Sequence, residues 1–203
     1  MFKRMILFAA LGAFILCLAG CGGEEEKKAE STQPAAAAAP APKPEENVPI
    51  YELTKDEITS HDGWTSRNIS VLGVKLGDKT REVEKNLGNV ENTRTLPDDY
   101  LTVYQGEGLF VYTFKLTGKA RRIEVNQAFA KKIADAKLQK LLSTGDLKYM
   151  RELFGMEEGE AIQNADDNSI EYPYDSRGFS FVKFKVGGKT VNAIRFKEVK
   201  KAT

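Results

Sequence analysis

Cysteine and histidine are almost absent from this chain of 203 residues, which has two cysteines and one histidine. Both cysteines, Cys17 and Cys21, lie near the amino terminus. The rest of the chain can therefore form no intramolecular disulfide and no cysteine-based metal site. We expect no bound metal, and a fold whose stability comes from a hydrophobic core.

An excess of one charge is also lacking, because the chain has 30 lysines and arginines and 29 aspartates and glutamates. Nucleic-acid-binding proteins carry a strong basic excess on one face, so we expect no nucleic-acid partner. The sequence also lacks a His-Glu-x-x-His motif, a Gly-x-Ser-x-Gly motif and a phosphate-binding loop. We therefore expect no catalytic residue and no cofactor. An enzyme built on carboxylates alone stays open as an alternative.

Only one long apolar run is present, and it covers residues 5–16 directly after two basic residues. This is the charged and then apolar pattern of a secretory signal, and it is shorter than the ~20 residues needed to span a bilayer. The run leads to a four-residue stretch that resembles the lipobox of bacterial lipoproteins, with Leu18, Ala19 and Gly20 for the signal peptidase and Cys21 for lipidation.

The lipobox resemblance implies that residues 1–20 are removed and that Cys21 carries acyl chains. Two or more acyl chains anchor a protein stably to a membrane. Gly22 follows the cysteine, where an aspartate would be a retention signal for the inner membrane. We therefore expect an exported protein that is anchored in a bacterial membrane, on the periplasmic side of the outer membrane if the cell has two membranes.

Residues 21–48 form a segment rich in alanine, proline and glutamate, with no large apolar residue before Val48. Such a segment cannot bury enough surface to offset the entropy lost on ordering. The sequence therefore predicts a disordered tether between the lipid and the folded part.

Two stretches of the remaining chain, residues 108–119 and 178–189, align without a gap. Each alternates apolar side chains with the period of two that a strand imposes. Leu109 and Val111 match Phe179 and Phe181 on one face of the strands. Each stretch begins at the glycine of a Tyr-x-x-x-Gly sequence, which starts at Tyr104 in the first copy and at Tyr174 in the second.

The similarity extends to both sides of these strands. A helix with Val83 and Leu87 on one side, capped by Asp78 and ended by Gly88, precedes the first copy. Asp146 and Gly155 bound a matching helix before the second copy, and each copy ends in another alternating strand, at 122–125 and 193–196. We predict an α+β fold of two tandem helix-on-antiparallel-sheet units, 49–126 with a short lead-in and 127–203. Apolar residues from 129 to 142 at helical spacing predict a further helix.

This pattern resembles the small envelope lipoproteins of the BamE (SmpA/OmlA) group and the related fold of the β-lactamase inhibitory protein, which carries two such units. The resemblance rests on Leu76-Gly77, Val83 and Leu87-Gly88, followed by a tyrosine, a glycine turn and alternating strands. It implies helices packed on one face of each sheet and no catalytic residues. Members of these groups act by binding other proteins, as assembly partners or inhibitors.

We expect Trp64, the only tryptophan, to close one edge of the core, and we expect His61 to lie in a surface turn. The acid pairs Asp98-Asp99 and Asp166-Asp167 fall in polar stretches that read as turns.

The predicted binding surface is a set of aromatic residues along the strands, since Tyr and Phe anchor many protein interfaces. Its members are Tyr100, Tyr104, Tyr112, Tyr172, Tyr174, Phe179 and Phe181. We therefore expect a lipid-anchored, non-catalytic envelope protein that binds a protein partner. Two alternatives stay open: a small-ligand or glycan-binding lipoprotein with an apolar cleft between the units, and an envelope enzyme with two converging carboxylates.

Overall fold

The computed structural model describes residues 49–199 except 59, 62, 89–91, 105 and 107. The predicted signal sequence, the lipidation site at Cys21 and the predicted tether lie outside the described residues. Among the helices that are described, none has the length and apolar character needed to cross a bilayer.

In the part of the chain that the structure describes, eight strands form one antiparallel sheet. In chain order they are β3 (Asn92–Thr95), β4 (Asp99–Tyr104), β5 (Leu109–Phe114), β6 (Lys119–Asn126), β7 (Ile162–Asn164), β8 (Ser169–Tyr174), β9 (Phe179–Val186) and β10 (Lys189–Lys197). Their spatial order is β3-β4-β5-β6-β10-β9-β8-β7. Four consecutive strands therefore form each half of the sheet, and the last strands of the two halves pair at the centre. A lead-in precedes them, in which β1 (Tyr51–Glu52) pairs parallel with β2 (Ile69–Ser70).

The described residues form three α-helices between these strands: α1 (Thr80–Leu87), α2 (Ala136–Thr144) and α3 (Leu147–Phe154). Asp146 caps α3 by accepting from two backbone amides, and Gly155 ends the helix, as predicted. Helix α1 ends at Gly88 as predicted, but its N-cap is Lys79. Asp78 instead accepts from the backbone amide of Lys75, so it closes the preceding turn.

Helix α2 is shorter than its apolar spacing predicts. Asp135 has an extended backbone and accepts from the amides of Lys137 and Leu138, which makes it a helix N-cap. The apolar residues before Asp135 form a 3-10 turn at Ala130–Lys132 and an extended step at Ile133. They are nevertheless buried, so their spacing correctly identifies a core segment but not its backbone conformation.

The α+β class is confirmed, because residues 49–199, as far as they are described, contain three helices and one large antiparallel sheet. A single core joins the buried side chains of the helices to one face of the sheet. The role predicted for Trp64 is confirmed, because its ring is fully buried and stacks on Phe154 with the centroids 5.3 Å apart.

The surface position predicted for His61 is wrong. Its side chain is buried, and Nε2 lies 3.3 Å from Oδ2 of Asp135. The imidazole also meets the rings of Trp64 and Phe154 edge-on. A partner that is 74 residues away in the chain explains the error, because no local sequence pattern reveals it.

Candidate binding surface

The two faces of the sheet differ in what they contact. Strand register places Leu109 and Val111 of β5 beside Val125 and Ile123 of β6, and all four belong to the core under the helices. The alternate residues point to the other side, which we call the opposite face. Its buried apolar side chains lie outside the core cluster; they are Leu101, Val103, Val182 and Ala193.

The structure corrects the predicted aromatic surface. Tyr174, Phe179 and Phe181 are at most 1% exposed, because they face the helices and fill the core. Tyr104 and Tyr172 pack against the same core and are half-buried. The Tyr174 hydroxyl donates to the carbonyl of Gly155 at 2.8 Å, which ties β8 to the end of α3. These five residues therefore do not form an exposed binding surface.

Two of the predicted tyrosines remain accessible. Tyr100 is 41% exposed, with the ammonium of Lys115 5.5 Å from its ring centroid. Tyr112 points to the opposite face and is half-buried there. Its neighbours on the same strand and face, Phe110 and Phe114, are half-buried too.

A break in the β5–β6 register alters which side chains reach the opposite face. Tyr112 pairs with Arg122 and Thr113 pairs with Ala120, so Arg121 is an extra residue in β6. Such a bulge re-aims a side chain that strict alternation would send to the other face. Consequently Arg121 and Arg122, although consecutive, both lie beside aromatic rings of β5.

The arginines stack on these rings. The guanidinium carbon of Arg122 lies 3.4 Å from the ring centroid of Tyr112, and that of Arg121 lies 4.7 Å from the centroid of Phe114. Both distances fall within the range of cation–π attraction. We call Phe110, Tyr112, Phe114, Arg121 and Arg122 the arginine–aromatic patch.

Charge pairing within the patch is incomplete. Arg121 donates to Asp99 at 2.6 Å, while Nε of Arg122 is buried and donates to no described acceptor. Burial and the nearby charge of Glu124 raise the pKa of the Tyr112 hydroxyl, so this ring stays neutral at physiological pH. The patch thus presents two permanent positive charges, and of the two only Arg121 is paired with a carboxylate, that of Asp99.

An ion network occupies the centre of the opposite face. Arg195 of β10 donates to Glu124 of β6 at 3.0 Å and to Glu171 of β8 at 2.9 Å, and all three residues are buried. Lys197 donates to Glu171 at 2.6 Å, and Asp167 accepts from Arg195 at 3.0 Å.

The two buried carboxylates of this network differ in their protonation behaviour. Burial raises the pKa of Glu124, and the nearby charge of Arg195 offsets this only in part. Burial also opposes ionisation of Glu171, but hydrogen bonds from Lys197 and Ser180 lower its pKa below the ordinary value. Every one of these acids is engaged by a cation, so the network is a structural tie across strands and not an open pair of catalytic carboxyls.

The acid pairs from the sequence fall at the rims of the sheet. Asp98 is exposed in the β3–β4 turn, and Asp99 binds Arg121. Asp166 and Asp167 lie in the β7–β8 turn, where Asp167 binds both Arg195 and the hydroxyl of Ser169. Neither pair brings two free carboxyls together. In the described part of the chain, no cluster of three histidine, cysteine or acidic side chains has a metal-binding arrangement.

Sequence reasoning missed the arginines of the patch and the network around Arg195. The signal for the patch was the Arg121-Arg122 pair next to an alternating strand with aromatic residues on one face.

Comparison with protein families, with curated proteins and with solved structures finds no match to the chain.

Proposed function

We propose that this protein is a lipid-anchored, non-catalytic component of a bacterial cell envelope, and that it binds a protein partner through the arginine–aromatic patch. The observation that carries the proposal is the β6 bulge, which aims two consecutive arginines at two aromatic side chains of β5, Tyr112 and Phe114. Arginine and aromatic residues are the types most enriched where protein interfaces concentrate their binding energy.

The chemistry of the patch specifies the partner. Two guanidinium groups, of which only that of Arg121 is paired with a carboxylate, attract a surface with further carboxylates. The three aromatic rings favour apolar side chains between those carboxylates. Guanidinium groups bind carboxylates in a bidentate manner, so the match is geometric as well as electrostatic. The partner we infer therefore presents acidic and apolar residues together.

The arrangement of the chain supports two tandem units. In each half of the sheet a helix precedes four antiparallel strands, α1 before β3–β6 and α3 before β7–β10. Gly108 and Gly178 both have a positive φ. In the last strand of each half, Ile123 is matched by Ile194. The residue three positions after each isoleucine, Asn126 or Lys197, donates its backbone amide to the carbonyl of Gly108 or Gly178 respectively. We infer that the halves descend from one duplicated unit of the type found in the BamE-like group.

The membrane anchor belongs to the same proposal. The lipobox at 18–21 supports lipidation of Cys21, and the composition of 21–48 supports a disordered tether. About 28 residues of coil span roughly 30 Å, so the sheet can stand clear of the membrane surface and reach a partner. The periplasmic side of the outer membrane is the location we favour in a cell with two membranes.

Site-specific photocrosslinking in intact cells tests the function. A photoreactive residue at Phe110 lies on the patch, and the same residue at Glu152, which is exposed on α3, is the matched control on the helical side. We expect a discrete protein adduct from position 110 and none from position 152. Adducts of equal yield at both positions would contradict binding by this face.

Charge variants make the test specific. Arg121→Gln keeps a polar side chain but removes its charge, and we expect it to weaken the adduct at position 110 about tenfold. Arg81→Gln, on the exposed side of α1, changes net charge equally and should leave the adduct unchanged. An adduct that survives Arg121→Gln at full yield would rule out charge recognition by the patch.

A further inference from the structure

A cleft of about 580 Å³ opens on the helix-bearing face of the sheet, at the far end of β7–β10 from the arginine–aromatic patch. Its floor includes Ile170, Tyr172 and Lys183, which project from β8 and β9 on the same face as the core. Clefts of 300–1,000 Å³ are the size that holds small ligands in proteins.

Positive charge in this cleft is not neutralised. The ammonium of Lys183 donates to the carbonyl of Gly145 at 2.8 Å, and that of Lys185 donates to the hydroxyl of Thr190 at 2.9 Å. Neither lysine forms an ion pair with a described carboxylate. Because an ammonium group has three donors, each lysine retains two for a ligand.

The other groups that line the cleft are neutral and suited to hydroxyl-rich ligands. Gln163 and Asn168 contribute side-chain amides, each with donors and an acceptor. Tyr172 is half-buried; its ring packs toward the core, 6.3 Å from that of Phe181, and its accessible part lines the cleft. An aromatic wall with amides at the rim matches a sugar ring, which has apolar C–H faces and polar edges.

We propose that this cleft binds a sugar that carries a carboxylate. The sugar ring lies against Tyr172, the amides bind its hydroxyl groups, and the carboxylate accepts from Lys185 and Lys183. The site lies on the other side of the sheet from the patch, so it is independent of the proposed protein partner. An anchored protein with both sites holds an acidic glycan and a protein at the same time.

Calorimetric titration of the full chain in detergent micelles tests the proposal with a matched pair of disaccharides. N-acetylglucosaminyl-N-acetylmuramic acid and di-N-acetylglucosamine differ only in one lactyl group with its carboxylate. We expect the acidic disaccharide to bind about tenfold more tightly at low salt, and the difference to shrink as salt rises. Digalacturonic acid forms a second arm: the tighter of the two acidic sugars shows whether the carboxylate is recognised on a lactyl ether or on a uronic acid.

Variants assign the effect to the cleft. Lys185→Met should remove most of the preference for the acidic disaccharide, while Lys189→Met, on the opposite face of the adjacent strand, should leave it unchanged. Tyr172→Leu should weaken both disaccharides alike, and a thermal melt of each variant checks that it is folded. The Lys185 side chain is exposed, so its replacement leaves the fold intact.

Three results would overturn the assignment. One is equal binding of the acidic and neutral disaccharides, or no binding of any sugar. Another is an acidic preference that Lys185→Met leaves intact. The third is displacement of the sugar by a short glutamate peptide at equal concentration, which would identify a peptide site.

Discussion

Arg195 and Glu124 lie directly opposite each other on the two central strands, with Nε of the guanidinium 3.0 Å from Oε2 of the carboxylate. These residues occupy matching positions of the two predicted units, each directly after the matched isoleucine. A position that repeats in the sequence thus meets its own counterpart at the centre of the sheet. One copy carries the acid and the other the base, and this complementarity joins the two halves by an ion pair.

Replacing Arg195 should be costly. Arg195→Met leaves Glu124 and Glu171 buried without their shared cation, and we expect a loss of about 3–5 kcal/mol in the free energy of unfolding. The double variant Glu124→Gln/Arg195→Met should recover roughly 1–2 kcal/mol, because one uncompensated carboxyl is gone. Urea denaturation measures both. A loss in the double variant equal to the sum of the losses in Arg195→Met and in Glu124→Gln would show that the two side chains are not coupled.

Asp135 and Asp146 are both helix N-caps, but they differ in their other contacts. Asp146 accepts from the first amides of α3, whereas Asp135 caps α2 and also has partners from another segment of the chain. Asp146→Ala removes the cap of α3 and should cost about 1 kcal/mol. Asp135→Ala removes the cap of α2 and also strands the buried amide of Ile58, which donates to its Oδ2 at 3.1 Å. We expect it to cost about 2–4 kcal/mol. Equal losses in thermal or urea unfolding would mean that the contacts with Ile58 and His61 contribute nothing.

Tyr174 should make stability sensitive to alkaline pH. Burial, together with the charge of Glu157, raises its pKa from 10.0 to about 12. A raised pKa means that the folded state keeps the proton after the unfolded state has lost it, so the free energy of unfolding falls as pH rises from 10 toward 12. Tyr174→Phe has no such proton and should lose about 1 kcal/mol at pH 8 with its hydrogen bond.

The measurement is the urea midpoint of both proteins between pH 8 and pH 12. Since the remaining tyrosines and lysines titrate in both, the difference between the two curves isolates Tyr174. The difference in urea midpoint between the wild-type protein and Tyr174→Phe should become smaller above pH 10. A constant gap would show that the hydroxyl has an ordinary pKa.

Lipidation is tested by Cys21→Ser. We expect the wild-type chain in the membrane fraction and in the detergent phase of a detergent–water partition. We expect the variant to be absent from the detergent phase and to lack the mass of the chain from which residues 1–20 have been removed. Cys17→Ser serves as the control, because it keeps the lipobox intact. A Cys21→Ser chain that still partitions into detergent with the processed mass would exclude this anchor.

The faces on which strand residues lie and the residues at which helices begin and end could be predicted from the sequence. Leu109, Val111, Phe179 and Phe181 share one face because a strand has a period of two, and Asp146 begins a helix because its carboxylate can accept from free amides. These are short-range effects, in which all the atoms that decide the structure lie within a few residues.

Other features depend on contacts that the sequence does not display. Both faces of β5 are apolar, so the period of two could not decide which face the helices cover. As a result, the predicted aromatic binding surface included residues that belong to the core. The bulge at Arg121 depends on a hydrogen-bond register between two strands. The burial of His61 depends on Asp135, which comes from another segment.

The pairing of β6 with β10 also limits how the protein can be divided. The outer strands β3 and β7 are only four and three residues long and mostly polar, which protects the sheet from pairing with other chains. A cut near residue 127 would instead leave two long strands, β6 of eight residues and β10 of nine, each without a partner on one side. Each fragment would then have a long exposed edge strand that can pair with strands of neighbouring molecules. We therefore expect the separate halves to aggregate and the intact chain to stay soluble.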